Sequence, residues 1–249
     1  MNALGAVLLL PAGIVAGVIG TAGGITSLVA YPALLAAGLP PLVANTTGSV
    51  ALLGSGLASA TRARTDVAGR GPVVRRAAGA FAVLSLAGAV LLVRTPAGLF
   101  DAVVPFLVTT GALVLLLQPA VTRGLERRGR RPPRALLAAG AGAVALYNGY
   151  FGAGSGILLI ALLLLSIEPV LHRANALKNV ILVVADVLPA VLFALLGTVV
   201  WSAAVPLGVG AAIGGLIGPA VARRVPAAVL RVLIACCGFL LAGVLLVRR

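Results

Sequence analysis

The sequence predicts an all-α, polytopic membrane protein built from two inverted repeats, and three observations carry that prediction. First, the chain is dominated by apolar residues: 61% are hydrophobic and 10% charged, with a mean hydropathy of +1.18. Second, the apolar runs are continuous. That excludes a β-barrel, whose strands alternate lipid and lumen faces. Third, a compound signature occurs twice. Gly20-Thr21-Ala22-Gly23-Gly24 and Ala44-Asn45 in the first half correspond to Gly152-Ala153-Gly154-Ser155-Gly156 and Ala174-Asn175 in the second, at offsets of 132 and 130 residues. Two glycine-broken apolar segments at matching positions of two halves point to a site between repeats.

Glycines, prolines and charge clusters divide each half into five segments. The first, 3–19, is apolar up to the glycine cluster that begins at Gly20. The second, 22–38, ends at Gly38 ahead of Pro40-Pro41, and the third, 42–61, opens on Asn45-Thr46-Thr47 and stops at Arg62. Segment 72–93 closes before Arg94-Thr95-Pro96, and 98–120 runs into the basic stretch beyond Pro119. In the second half, 135–150 follows Pro132-Pro133-Arg134 and reaches the second glycine cluster, and 154–167 stops at Glu168-Pro169. Segments 171–197, 199–222 and 226–247 are set apart by Gly197 and by Arg223-Arg224.

Runs such as Ala77 to Val93, Leu99 to Leu117 and Ala227 to Val247 approach the roughly 20 residues that a helix needs to cross a bilayer. The first two segments of each half are shorter and read as re-entrant hairpins. Eight full spans, or ten full and partial ones, describe the same chain. The repeats are then residues 1–120 and 135–249, each a glycine-broken hairpin followed by three transmembrane helices, joined by an Arg- and Pro-rich linker at 121–134.

Net charge is +14, from 18 arginines and one lysine against five acids. In a soluble protein that excess would suggest nucleic acid. Here Arg62, Arg64, Arg70, Arg75 and Arg76 fall in and beside one loop, and Arg123, Arg127, Arg128, Arg130, Arg131 and Arg134 in another. Basic clusters in short loops between apolar spans are the positive-inside signal, so the partner is a lipid bilayer and no nucleic-acid role is expected. Loops 62–76 and 121–134 are assigned to the cytoplasm of a multi-pass inner or plasma membrane protein. If Arg173, Arg223 and Arg224 are also inside, the pair 135–150 and 154–167 must return without crossing, and the second half enters with the opposite orientation. Both termini then lie outside. Met1 to Leu10 lacks a basic leader and reads as the first membrane segment, not as a removable signal.

The adjacent Cys236 and Cys237 offer neither metal spacing nor a disulfide framework. No segment carries a paired-carboxylate, His-rich or Ser/His constellation at depth, so no enzyme, metal or cofactor is expected. The sequence leaves a homo-oligomer open.

Several residues are candidates for a binding site. Gly20, Gly23 and Gly24, with Gly152, Gly154 and Gly156, sit where a short segment turns back, although membrane glycines also let helices pack closely. Asn45, Thr46, Asn175 and Asn179 open otherwise apolar helices, where capping is the ordinary role of such residues. Asn148 lies beside the second glycine turn. Lys178 is the only lysine in the chain and lies inside its helix; an ionisable group at membrane depth is a functional candidate by default. Asp186, eight residues further on, is a candidate proton-coupling carboxylate. Asp101, Glu168, His172 and Arg173 lie at segment ends, where interfacial solvation explains them.

Gly17-Val18-Ile19-Gly20-Thr21-Ala22-Gly23-Gly24, followed by Pro32, Gly38 and Ala44-Asn45-Thr46, is paired with Gly149-Tyr150-Phe151-Gly152-Ala153-Gly154-Ser155-Gly156 and Ala174-Asn175-Ala176-Leu177-Lys178-Asn179. Over essentially the whole chain this pattern resembles the TauE/SafE sulfite exporter (TSUP) family of membrane permeases. The first glycine motif is poorer in glycine than is usual in that family. The resemblance implies a secondary transporter of small sulfur-containing anions, such as sulfite or organosulfonates, with both motifs facing one site. Inverted repeats imply alternating access at the midplane. The alternative is an ion channel or cation carrier using unwound carbonyls and Asp186.

Overall fold

The computed structural model describes residues 3–23, 26–63, 71–127, 132–222 and 227–247. Among the described residues the chain forms helices and no strand. In order they are α1 (Ala3–Gly23), α2 (Thr26–Ala36), α3 (Pro41–Ala63), α4 (Gly71–Arg94), α5 (Ala97–Arg127), α6 (Arg134–Tyr150), α7 (Ser155–Ser166), α8 (Leu171–Leu195), α9 (Trp201–Ala222) and α10 (Ala227–Val247).

The segment ends agree with the sequence reading to within a few residues, with two departures. Helix α5 continues to Arg127, into the stretch read as linker, and residues 128–131 lie outside the described set. Helix α1 runs through the first glycine cluster to Gly23, so Gly20 and Gly23 belong to its last turns and not to a break. One glycine in a helix interior costs only about 1 kcal/mol, which tertiary packing easily outweighs. Gly24 lies outside the described residues.

Among the described residues, four helices contain stretches long and apolar enough to cross a membrane: Val74–Arg94, Ala97–Leu117, Leu171–Leu195 and Trp201–Gly218. Shorter apolar stretches are Leu8–Gly20, Thr26–Ala36, Ser155–Ser166 and Ile234–Val247. At a rise of 1.5 Å per residue, α2 and α7 are only about 17 Å long, against a hydrocarbon core of about 30 Å. Each packs on the helix before it, as the arms of a hairpin do. The outer surface is apolar: Val83, Phe106, Leu113, Val187, Val191, Val205 and Ile213 are exposed. In lipid such exposure is the relaxed state of these side chains.

The packing carries the same duplication as the sequence. Exchanging α1–α5 with α6–α10 takes the α1–α9 contact onto α6–α4, α3–α9 onto α8–α4, α1–α2 onto α6–α7, and α2–α3 onto α7–α8. The α3–α8 and α5–α10 contacts map onto themselves. The halves therefore interlock, with α3 and α8 meeting at the centre.

Backbone contact between small residues holds this arrangement. A Cβ on Gly13 or Gly17 of α1 would overlap the carbonyls of Leu207 or Ala211 of α9, and one on Gly210 or Gly214 would overlap those of Leu10 or Ile14. In the other half, Gly149 of α6 lies against the Ser85 carbonyl of α4, and Gly88 against that of Leu146. Gly17 and Gly149 are equivalent at the offset of 132 residues, and Gly215 and Ser85 at 130. Such close approach is how helices associate where lipid removes the hydrophobic drive. Gly149→Val forces α4 and α6 apart; at about 1–3 kcal/mol for overpacking, the melting temperature in detergent is expected to fall by about 2–12 °C.

Candidate functional site

Where α3 meets α8, the helices and the hairpins enclose a cavity of about 120 Å³. A water molecule occupies about 30 Å³ of liquid, so this space suits one small polyatomic solute. Helix α3 lines it with Asn45, Gly48, Ser49, Leu52, Ser55, Gly56 and Ser59, one face at the spacing of successive helical turns. Helix α8 contributes Lys178, Asn179, Leu182, Val183 and Asp186, α2 contributes Ser27 and Tyr31 among others, and the α6–α7 hairpin contributes Asn148, Phe151, Gly152 and Ser155. Gly20 of α1 completes the wall.

The two central helices present equivalent positions with unequal chemistry. At the offset of 130 residues Gly48 corresponds to Lys178, Ser49 to Asn179, Leu52 to Leu182 and Gly56 to Asp186, and all eight line the cavity. Lys178 and Asp186 thus each have a glycine at their counterpart on α3. The cavity draws both charges from one helix and room from the other.

Lys178 is 2% exposed. Among the described residues it makes no ion pair and no hydrogen bond. A buried ammonium without a counter-charge is costly, by several kcal/mol in effective terms. Asp186 is partly buried and accepts a hydrogen bond of 2.6 Å from Asn148 Nδ2. Asn148 in turn accepts from Ser155 Oγ at 2.6 Å and donates to Ser85 Oγ at 3.3 Å. This chain of contacts orients the carboxylate and ties it to the first residue of α7. Tyr31 is also buried, and among the described residues its hydroxyl has no hydrogen-bond partner.

The second glycine cluster forms a tight turn. Gly152 and Gly154 adopt φ of 75° and 81°, in the left-handed region that favours glycine. Tyr147 Oη donates to the Ala153 carbonyl at 2.6 Å, and the Gly152 N–H donates to the Tyr147 carbonyl at 3.1 Å. That amide is therefore committed to the turn, while Asn148 and Ser155 bring side-chain polar groups to the cavity beside it.

The first turn of α3 is a clamp between halves. Asn45 Nδ2 donates to the Tyr150 carbonyl at 3.0 Å, one of the last carbonyls of α6 that the helix itself leaves unsatisfied. Thr46 Oγ1 bonds the Thr198 carbonyl at 3.0 Å, and Thr47 Oγ1 accepts from the Val200 N–H at 3.1 Å. Asn45→Ala strands the Tyr150 carbonyl, and such a loss costs about 1–3 kcal/mol. A lowered unfolding midpoint in detergent is expected; an unchanged midpoint would show that the cross-half bond contributes nothing.

Of the residues read from sequence, Gly20, Asn45, Asn148, Gly152, Lys178, Asn179 and Asp186 line one cavity. Thr46, Gly154, Gly156 and Asn175 do not; Thr46 faces the α8–α9 loop and Gly154 packs near Gly111 of α5. Gly23 ends α1. Glu168, expected to be solvated at an interface, is 2% exposed and accepts from the Val170 N–H at the start of α8. Asp101, His172 and Arg173 are exposed, as their positions at segment ends led one to expect. Sequence reasoning missed Ser27, Tyr31, Ser55 and Ser59. The α3 serines were findable, since they recur on the face that carries Asn45.

A sequence model of the family described as "Sulfite exporter TauE/SafE" matches residues 6–245. The chain is 30% identical over 213 residues to "Probable membrane transporter protein ORF9" of a Sinorhizobium species, covering 83% of this chain and 79% of that protein. It is 31% identical over 209 residues to "Probable membrane transporter protein YfcA" of Escherichia coli K12, covering 82% and 75%. No solved structure matches the chain.

Proposed function

The chain belongs to the sulfite exporter TauE/SafE family, and from that premise we propose that it is a secondary transporter of small sulfur-containing anions, sulfite or organosulfonates. One observation carries the anion: Lys178 lies buried in a cavity between the halves with no ion-pair or hydrogen-bond partner among the described residues. An oxyanion supplies that charge and has enough acceptors for the ammonium, the Asn179 amide and the Tyr31 hydroxyl.

Asp186 supports coupling to protons. With both side chains ionised the cavity is neutral, and a monoanion entering it leaves a net charge in a low dielectric. One proton on Asp186 restores neutrality, so anion and proton move together. The repeats rock about the α3–α8 contact to alternate access. The basic loops 62–76 and 121–134 are cytoplasmic in this scheme, in the inner or plasma membrane. Hairpins α1–α2 and α6–α7 then enter from opposite sides, which makes the repeats inverted.

Purified protein in proteoliposomes tests the proposal by uptake of labelled sulfite or an organosulfonate, with and without an imposed pH gradient. Saturable uptake stimulated by the gradient is the expected result. No flux of any sulfur anion from correctly folded protein would sink it.

A further inference from the structure

The cavity holds two opposite charges that do not neutralise each other, and their placement selects a further class of substrate. Lys178 and Asp186 both line it, and among the described residues they form no ion pair with each other. They lie eight residues apart on α8, about 12 Å along a helix. That is the spacing of their backbone positions; the ammonium and the carboxylate themselves lie too far apart for an ion pair. Among the described residues, the only other titratable side chain lining the cavity is that of Tyr31 on α2.

The other polar groups lining the cavity likewise include both donors and acceptors. Lys178 and the unpartnered Tyr31 hydroxyl are donors. Asp186 is an acceptor, held by Asn148. Ser49 and Ser59 already donate their hydroxyl protons to the Asn45 and Ser55 carbonyls, at 2.9 and 2.8 Å. What they retain for the cavity is acceptor capacity. A plain anion uses the donors and leaves the acceptors idle.

We propose that the cavity takes small zwitterions, short ω-amino sulfonates, holding the sulfonate at Lys178 and the ammonium at Asp186. Such a solute keeps the cavity neutral by itself, so it moves without the proton that a plain anion requires. The inference rests on the sulfur-anion reading and extends it to a substrate that brings its own cation.

The test is counterflow of labelled hydroxyethanesulfonate in proteoliposomes, competed by unlabelled aminoethanesulfonate or hydroxyethanesulfonate. In the wild-type protein the amino compound is expected to compete at least about tenfold better, a difference of about 1.4 kcal/mol, and its own uptake to be indifferent to a pH gradient that stimulates the hydroxy compound. Asp186→Asn is expected to bring the amino-to-hydroxy preference to about one, and Asp186→Glu to retain part of it. Transport of hydroxyethanesulfonate with no preference for the amino compound in the wild-type protein overturns this inference and leaves the anion reading standing. Failure to carry either sulfonate or sulfite overturns both.

Discussion

Lys178→Ala is expected to lower sulfur-anion uptake by about 100-fold or more, because it removes the one cation in the cavity. Truncating one partner of a buried charge pair typically costs about 2–5 kcal/mol, and each 1.4 kcal/mol is about tenfold in affinity. The loss is electrostatic and not structural: Lys178 makes no hydrogen bond among the described residues, so no partner within the protein is stranded. Lys178→Met, which keeps the length of the side chain, is the control. It should fold as the wild type does and transport no better than the alanine variant. Lys178→Arg keeps the charge but must fit a wider planar group into about 120 Å³, so partial activity is expected. The cation-carrier alternative predicts the reverse sign, because removing the ammonium relieves repulsion of a cation beside Asp186. Undiminished or increased cation flux in the alanine variant would overturn the anion assignment.

Asp186→Asn is expected to abolish stimulation of sulfite uptake by a pH gradient. The amide can still accept the Asn148 hydrogen bond but cannot take up a transported proton. The variant cavity is permanently one unit more positive, so an anion enters it without a proton and charge moves with each cycle. Counterflow should therefore continue while accumulation driven by the gradient disappears, and net uptake should become sensitive to an imposed membrane potential. If Asp186→Asn keeps the full response to the pH gradient, Asp186 is not the coupling group.

Much of this was readable from residue order, and the exceptions have physical causes. Lys178 and Asp186 stood out because a charge in an apolar run has few cheap explanations. The glycines were harder to sort. A glycine that permits left-handed backbone and one that admits a neighbouring helix are the same letter; Gly152 and Gly154 proved to be the first kind and Gly17 and Gly149 the second. Gly20 was read as a break although α1 continues past it to Gly23; the absence of a side chain there admits Thr26 of α2 instead of unwinding the helix. The paired Ala-Asn motif suggested two equal ligands, yet Asn45 lines the cavity and Asn175 does not. The burial of Glu168 depends on how the α7–α8 connection folds inward, for which no local pattern exists.

The order of elements, the membrane class, the duplication and the two intramembrane charges were determined by the sequence alone, because they depend on local hydropathy and on repetition along the chain. Tertiary structure decided that α3 and α8 cross at the centre, that a stripe of serines shares the cavity with Lys178 and Asp186, and that Asn45 grips the opposite hairpin. Those facts depend on helix rotation and on close approach of backbones. Neither is encoded in any single segment; both are fixed only when the halves interlock and each glycine meets the carbonyl that its missing side chain leaves room for.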